Sequence, residues 1–358
     1  MKHLFRIDWG LLLPALLLAC ISLATLFALQ VSYFKSQLFS LGISLLAFLF
    51  FSQMDGRVLR QLKLPLYIVS LLLLTIILLS GIKSHGAVRW LGLFGVRMQF
   101  SEILKPFLAI SFVSFLSDNT QPTLGSFFLT WLLLIPVLVL IYFQPDLGNA
   151  LIFLGVAIFV LCTYGIPLRW FGLAILPVIV LSPLLWEMLH SYQRQRLLTF
   201  LHPTSDPLGA SYNGIQAIIA VGSGSWAGKG LSQGTQSGLK FLPEGHTDFI
   251  FATLSESLGF IGSLVVIVAL SFLCYRIYRI FKNTDDLFTK LFAACTFAFF
   301  LIQYFINIGM NLGYLPIVGV TLPFVSFGGS SLLASFIFLG ILCSLHQRDK
   351  HTNVLEIK

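Results

Sequence analysis

The sequence predicts an all-α polytopic integral membrane protein, with about ten transmembrane helices and a large extracytoplasmic loop between the seventh and the eighth. Hydrophobic residues make up 57% of the 358 residues and charged residues only 10%, whereas a soluble domain carries about 25% charged residues. The charges are gathered into short segments between apolar runs of about twenty residues, the length at which a helix spans roughly 30 Å of hydrocarbon. We therefore expect one membrane domain over residues 1–358.

The predicted spans are the apolar runs of the chain, taken in order. They are 11–30, 37–53, 64–81, 100–117, 127–143, 147–164, 169–186, 249–275, 288–310 and 330–345. Most connections are short, and only 187–248 is a long polar segment. The cysteines lie in or beside apolar runs without CxxC spacing, which favours apolar filling over disulfides or zinc ligands.

The distribution of Lys and Arg predicts the orientation. With a cytoplasmic N-terminus, the tight basic clusters at 57–63 and 276–290 fall inside, both termini are cytoplasmic, and the long loop faces outward. The remaining outward cations suit either an anionic substrate at the outer leaflet or lipid phosphates. No nucleic-acid-binding pattern, P-loop or HExxH motif occurs, so the net charge of +8 reflects membrane topology and not nucleic acid.

Glu102 and Lys105 lie near the outer start of the fourth run, three residues apart, so on a helix they share a face and can pair. Charge inside a membrane is costly, which makes each such residue a functional candidate. One interpretation is a structural ion pair that lets the helix enter the bilayer. The other is a polar wall of a substrate cavity.

Asp146 stands in a tight turn between the fifth and sixth runs. It can cap the following helix, or it can line the same outer cavity.

A third group, Glu244, His246 and Asp248, places three titratable residues within five positions at the mouth of the eighth run. Partial burial there would raise a carboxylate pKa towards the range of a general base, and capping by Asp248 does not exclude catalysis.

The long loop contains Arg194 and Arg196, followed by a glycine-rich run at 222–230 that includes Lys229. Exposed backbone N–H groups beside Arg and Lys suit phosphate. A glycine-rich loop alone is usually a flexible connection, so the functional interpretation depends on the arginines and carboxylates nearby.

Several motifs together resemble the SEDS family (shape, elongation, division and sporulation), and within it the RodA branch. They are QFSEILK at 99–105, QPDLG at 144–148, GTQS at 234–237, HTDFIFA at 246–252, NIGM at 307–310, GVTLPF at 319–324 and SFGGSS at 326–331. The GTQS segment and the short tails favour the elongation branch over the division branch, FtsW. The chain departs from the usual pattern at Phe100 and Phe327, where Pro and Tyr are common.

The resemblance implies a peptidoglycan glycosyltransferase that polymerises lipid II at the outer face of the cytoplasmic membrane. Asp248 matches the family's essential acid and becomes the candidate base of one inverting displacement, which forms a β-1,4 bond as undecaprenyl diphosphate leaves. Cationic side chains would stabilise that diphosphate. The candidate substrate-binding residues are Glu102, Lys105, Asp146, Arg194, Arg196, Lys229, His246 and Thr247. The acids Glu102, Asp146 and Asp248 could hold a divalent cation, although no spacing demonstrates a metal site.

The implied partners are a class B penicillin-binding protein, which crosslinks the strands, other elongation-complex proteins and membrane lipids.

Two other functions are alternatives to polymerisation. Intramembrane Glu102, Lys105 and Asp146 could line the path of a lipid II flippase, and uncharged stretches of the spans could pack on a partner's helix in a scaffold. The polar residues lie at the outer ends of spans and not along a through-route, which favours catalysis.

Overall fold

The fold is known from a computed structural model that describes residues 7–84, 87–93, 96–119, 121–203, 206, 209 and 211–355. Its helices are α1 (Trp9–Leu29), α2 (Val31–Ser52), α3 (Gly56–Gln61), α4 (Lys63–Ser80), α5 (Phe100–Ile103), α6 (Lys105–Ser117), α7 (Leu124–Phe143), α8 (Leu147–Tyr164), α9 (Leu168–Val180), α10 (Ser182–Met188), α11 (Ser191–Leu201), α12 (Tyr212–Ser223), α13 (Thr235–Gly238), α14 (Ile250–Lys282), α15 (Leu287–Asn311) and α16 (Gly329–Leu355). Strands β1 (Ile82–Ser84), β2 (Ala87–Leu93) and β3 (Val96–Gln99) form an antiparallel sheet in the order β1-β2-β3.

Within the described ranges, nine helical segments are long and apolar enough to cross a membrane, and the number is ten when the pair α9 and α10, bent by 61°, is counted as one broken span. Each predicted apolar run coincides with one of these spans, so the all-α membrane architecture is confirmed. The small sheet in the connection before α5 is an addition that the apolar pattern did not predict, and helices α11, α12 and α13 occupy the long loop.

Side-chain caps start several of the spans. The Asp8 carboxylate accepts a hydrogen bond from the Gly10 N–H at the start of α1, Thr123 does the same for α7, and Asp286 for α15. Such caps satisfy backbone N–H groups that have no partner within the helix. Gly165 ends α8 in the left-handed conformation at φ 100°, which glycine adopts without steric cost.

Ion pairs join one end of the bundle. Asp8 pairs with Arg276 at 2.6 Å, Arg60 pairs with Asp286, and Lys63 pairs with Asp118. These pairs connect the start of α1 to the C-terminal part of α14, helix α3 to the start of α15, and the start of α4 to the end of α6. We call this the basic end, because it collects the clusters at 57–63 and 276–290. The predicted active-site loops lie at the opposite end, the site end.

Helix α14 is broken at Gly259, where φ is 67° and ψ is −164°. The break frees backbone groups that must find partners elsewhere in a membrane protein. Lys229 N donates to Glu256 O at 2.9 Å, while Phe260 N donates to Ser225 O at 2.9 Å. The glycine-rich loop therefore inserts at the break, and the segment 250–258 forms a short helix of its own at the site end.

The first and last spans meet. Helix α2 packs along α16, and α1 packs along α14. The Ser22 hydroxyl donates to Val325 O at 2.6 Å, and Gln37 Nε2 donates to Ser326 O at 3.2 Å. These bonds fix the loop between α15 and α16, which forms part of the site described next.

Candidate active site

The backbone of Asp248 is held by two buried asparagines of α15. Asn307 Nδ2 and Asn311 Nδ2 each donate to Asp248 O at 3.0 Å, and Asn311 Oδ1 accepts from Ala252 N at 3.0 Å. Both asparagines are fully buried, where a polar side chain is stable only when it is hydrogen-bonded. Asn307 belongs to the NIGM motif, but its role emerges only from the fold.

The loop between α15 and α16 supports the residues before Asp248 from the other side. The Ser326 hydroxyl donates to Thr247 O at 2.7 Å and accepts from Leu322 N at 2.8 Å. Phe327 N donates to His246 O at 2.9 Å. The position of Asp248 is therefore set by α15 on one side and by this loop on the other.

The half-buried Asp248 and the exposed Arg196 both border the same space beside Gly319. A Cβ atom at Gly319 would lie 3.3 Å from Asp248 Oδ2 and 3.8 Å from Arg196 Nη1. Gly319 also has φ 72°, a conformation that favours glycine. An acid and a guanidinium group therefore both lie close to Gly319.

Helix α11 carries Arg196 and is attached to the turn that contains Asp146. The Arg196 guanidinium lies 5.6 Å from the centre of the Tyr192 ring, and the Tyr192 hydroxyl donates to Pro145 O at 2.7 Å. A pocket opens between α11, this turn and the loop before α16. It is lined by Pro145, Leu147, Tyr192, Gln193, Arg196, Leu197, Pro316, Ile317 and Val318.

Asp146 caps α8, because its Oδ1 accepts from Asn149 N at 3.3 Å. The predicted capping role is confirmed. Its Oδ2 also accepts from Gln99 Nε2 at 3.0 Å. The next turn approaches the loop of Gly319 closely, since a Cβ at Gly148 would lie 2.8 Å from Val318 O. Asp146 is therefore part of the wall behind the pocket, in addition to being a cap.

Glu102 and Lys105 pair as predicted, with Lys105 Nζ 2.7 Å from Glu102 Oε1. Their side chains are 8% and 2% exposed, so the pair lies deep in the bundle. Gln99, the last residue of β3, links this segment to Asp146. The pair thus lies at the site end, next to Gln99 and Asp146. This position fits both a structural ion pair and a polar wall of a substrate cavity.

The two predicted arginines have different surroundings. Arg194 Nε donates to Leu189 O at 3.1 Å, and its Nη2 donates to Glu187 O. It therefore stabilises the C-terminal end of α10. Of the two, Arg196 is the one that the structure places beside Asp248.

Lys229 and its glycines are engaged at the break in α14. Lys229 Nζ donates to Thr235 Oγ1 at 3.0 Å and lies 3.4 Å from Glu256 Oε1. A Cβ at Gly224 would lie 1.9 Å from Ser255 O, and one at Gly228 would lie 2.3 Å from Ser257 O. These glycines are required for close backbone packing, which gives the run a structural role beside the predicted phosphate-binding one.

His246 and Thr247 contribute to the loop that precedes Asp248. The His246 ring stacks on Tyr33 at 4.4 Å with an interplanar angle of 5°, and Thr247 Oγ1 donates to Glu244 Oε2 at 2.8 Å. Burial lowers the pKa of His246 from its ordinary value of 6.5, and the Glu244 carboxylate opposes this shift. A lowered pKa favours the neutral imidazole at neutral pH.

Glu256 is the buried acid that sequence reasoning missed. It is fully buried in α14 and accepts hydrogen bonds from the segment 235–237. The available signal was a carboxylate inside the eighth apolar run, where charge is costly.

Among the described residues, no group of three His, Cys, Asp or Glu side chains could hold a metal ion. Glu102, Asp146 and Asp248 therefore do not form a three-acid site.

Comparison with known proteins gives concordant matches. The family model for the cell cycle proteins FtsW, RodA and SpoVE matches residues 4–351. The peptidoglycan glycosyltransferase MrdB of Escherichia coli is 39% identical over 312 residues, which cover 87% of this chain and 84% of that protein. Stage V sporulation protein E of Bacillus subtilis is 33% identical over 330 residues, covering 88% and 87%.

Two solved structures share the fold. A chain from a peptidoglycan synthase complex that coordinates polymerization and crosslinking superposes with a TM-score of 0.82 at 29% identity, covering 96% of this chain and 99% of that chain. The rod shape determining protein RodA of Thermus thermophilus superposes with a TM-score of 0.73 at 25% identity, covering 96% and 98%.

Proposed function

This chain belongs to the FtsW, RodA and SpoVE family and is a peptidoglycan glycosyltransferase, and from this premise we propose that Asp248 is the general base of its reaction. The substrate is lipid II, the lipid-linked precursor of the glycan strand. The proposal rests on one observation above the others. The Asp248 carboxylate and the Arg196 guanidinium both lie beside Gly319.

The reaction needs one base and one stabilised leaving group. The 4-hydroxyl of the acceptor N-acetylglucosamine attacks C1 of the donor sugar, and the bond from C1 to undecaprenyl diphosphate breaks with inversion from α to β. Asp248 takes the proton of the attacking hydroxyl. The diphosphate leaves with the electron pair of the broken bond.

Arg196 is the cation best placed for the diphosphate. Its guanidinium is exposed, borders the same space as Asp248 and presents a planar fork that matches phosphate oxygens. Lys105 is buried against Glu102, so it would contribute a positive charge from behind the pocket. Arg194 and Lys229 remain candidate contacts for more distant parts of the lipid-linked substrate.

Polymerisation of lipid II by the purified protein tests the assignment. We expect Asp248→Asn to lower kcat by a factor of about 100 to 10,000, the usual contribution of a positioned general base. Asp118→Asn is the matched control, because it makes the same chemical change at the basic end, in an exposed ion pair with Lys63. Full activity of Asp248→Asn would exclude Asp248 as the base.

Arg196 is tested separately. Arg196→Gln should raise KM for lipid II and lower kcat, because the cation acts on a group that is bound before the reaction and gains charge during it. Arg196→Lys should recover only part of the loss, since an ammonium cannot make the bidentate contact. Wild-type kinetics in Arg196→Gln would remove this residue from the site.

We also propose a role in cell elongation together with a class B penicillin-binding protein. The GTQS segment at 234–237 supports the elongation branch. The similarity to a chain from a synthase complex that coordinates polymerization and crosslinking supports a transpeptidase partner. Co-purification with the elongation-type transpeptidase but not with the division-type one would support this role, and the reverse result would indicate an FtsW-like function.

The flippase alternative makes a different prediction. The polar groups of Glu102, Lys105, Asp146 and Asp248 lie at the site end, whereas a translocation path requires polar groups through the bilayer. Reconstituted vesicles would decide between the two. Polymer formation without lipid II translocation supports the transferase alone, and translocation without polymer would contradict it.

The site end is proposed to face outward from the cytoplasmic membrane, with both termini in the cytoplasm. The gathering of the clusters at 57–63 and 276–290 at the opposite end supports this orientation, since basic residues favour the cytoplasmic side.

A further inference from the structure

We infer that Glu256 is a positioning residue for the glycosyl transfer: its carboxylate locks the loop 229–237 against the break in α14 and so fixes the short helix that directly follows Asp248. The inference rests on the proposed role of Asp248. It concerns a residue inside a predicted span whose charge the catalytic reaction does not use.

Both oxygens of the Glu256 carboxylate accept hydrogen bonds from the loop 229–237. Oε1 accepts from Gln236 N at 2.9 Å and from Thr235 Oγ1 at 3.3 Å, with Lys229 Nζ at 3.4 Å. Oε2 accepts from Ser237 N at 2.9 Å and from the Ser237 hydroxyl at 2.7 Å. A fully buried carboxylate is stable only with such partners, so these contacts account for its presence in the bundle.

The geometry requires a carboxylate and not an amide. Two consecutive backbone N–H groups, of Gln236 and Ser237, point at different oxygens of Glu256. An ionised carboxylate has acceptors on both atoms, whereas a glutamine would turn an NH₂ group towards one of the two N–H groups. A Glu256→Gln substitution of almost unchanged volume should therefore detach one side of the loop.

The main chain completes the connection. Lys229 N donates to Glu256 O at 2.9 Å, and Gly230 N donates to Ser257 O at 3.0 Å. Just beyond lies Gly259, where the regular helix is interrupted. The loop thus holds the C-terminal end of the short helix through backbone bonds and through the Glu256 side chain.

The opposite end of the short helix is held by α15, where Asn311 binds Asp248 O and Ala252 N. Glu256 lies six positions after the start of α14, about 9 Å along the helix, and Asp248 lies two residues before that start. Glu256 therefore does not touch the reacting atoms. It acts by preventing the short helix from pivoting at Gly259, and a shift of about 1 Å in a catalytic group costs about a hundredfold in rate.

Kinetics of purified variants test the inference. For Glu256→Gln we expect kcat to fall at least tenfold, while KM for lipid II changes less than threefold, because Arg196, the cation proposed to bind the diphosphate, lies on α11 and not on this loop. Glu187→Gln, at the exposed end of α10, is the matched control and should retain wild-type kinetics. Lys229→Met should lose less than Glu256→Gln, since the backbone donors to the carboxylate remain. A Glu256→Gln enzyme with unchanged kcat would overturn the inference.

A disulfide that replaces the contacts of Glu256 distinguishes a positioning role from a simple loss of folding. The backbone bond of 2.9 Å between Lys229 N and Glu256 O keeps the two Cα atoms within about 7 Å, close to the reach of a disulfide. The double variant Lys229→Cys/Glu256→Cys should be impaired when reduced. Oxidation by copper phenanthroline should restore most of kcat, and dithiothreitol should remove it again. A formed disulfide without recovery of kcat would contradict a positioning role.

Asp248→Asn is assayed alongside these variants. If Asp248→Asn is inactive and Glu256→Gln is fully active, only the inference about Glu256 fails. If both are fully active, the assignment of the base itself fails.

Discussion

The buried pair of Glu102 and Lys105 gives a prediction whose size follows from the structure. Lys105→Met keeps the length of the side chain and removes the charge, which leaves the Glu102 carboxylate without its partner at 2.7 Å. Since the two side chains are 8% and 2% exposed, solvent cannot take the place of the lost ammonium group. Breaking one partner of such a buried pair costs about 3–5 kcal/mol of unfolding free energy.

The double variant Glu102→Gln/Lys105→Met separates the cost of an unpaired charge from the value of the pair. Replacing both charges removes the uncompensated carboxylate, so we expect the double variant to be more stable than Lys105→Met by at least about 2 kcal/mol. The unfolding free energies of both single variants and of the double variant are measured in mixed detergent micelles by tryptophan fluorescence. Equal losses in Lys105→Met and in the double variant would refute the reasoning.

The same variants distinguish the two interpretations of the pair. If it only allows the helix to enter the bilayer, the stable double variant should polymerise lipid II at the wild-type rate. If Lys105 also stabilises the diphosphate, the double variant should be folded but slow, with kcat reduced at least tenfold. Polymer formation per mole of folded protein is the deciding measurement.

Three further predictions follow from other parts of the fold. Gly148→Ala should reduce kcat at least tenfold, because its Cβ would lie 2.8 Å from the carbonyl of the loop that precedes Gly319; the rate of lipid II polymerisation is the measurement. Burial lowers the pKa of His246 below 6.5, so the unfolded chain binds a proton first as the pH falls. The free energy of unfolding should therefore decrease as the pH drops below about 6.5. When unfolding is measured between pH 8 and pH 5.5, this decrease should be weaker in His246→Phe than in the wild type. In a cysteine-free background, Leu239→Cys should react with an impermeant maleimide in intact cells and Arg57→Cys only after permeabilisation; the reverse pattern would invert the proposed orientation.

The spans and the local pairs were predictable because their causes are local. A run of about twenty apolar residues forms a spanning helix whatever its neighbours are. Glu102 and Lys105 meet because residues three apart share a helix face, and Asp146 caps α8 because its partner Asn149 is three residues away. Each of these features needs only the sequence within one or two helical turns.

The assembled site was not predictable, since its contacts join distant segments. Asn311 is 63 residues from Asp248, and nothing in its neighbourhood indicates that it holds that carbonyl. The glycine-rich run had the composition of a phosphate loop, but the close approach to Ser257 that explains Gly228 depends on the break at Gly259. The importance of Glu256 likewise depends on the loop at 235–237 being folded onto it.

The meeting of the first spans with the last has a consequence for how the protein is made. Ser22 in α1 binds a carbonyl 303 residues later, and Gln37 in α2 binds one 289 residues later. At a synthesis rate of about 5–20 residues per second, roughly 15–60 s pass between the insertion of α1 and the arrival of that loop. A nascent chain can therefore place its first seven spans in the membrane before it contains an active centre. We therefore expect growing chains to be inert towards lipid II until the loop before α16 has been made.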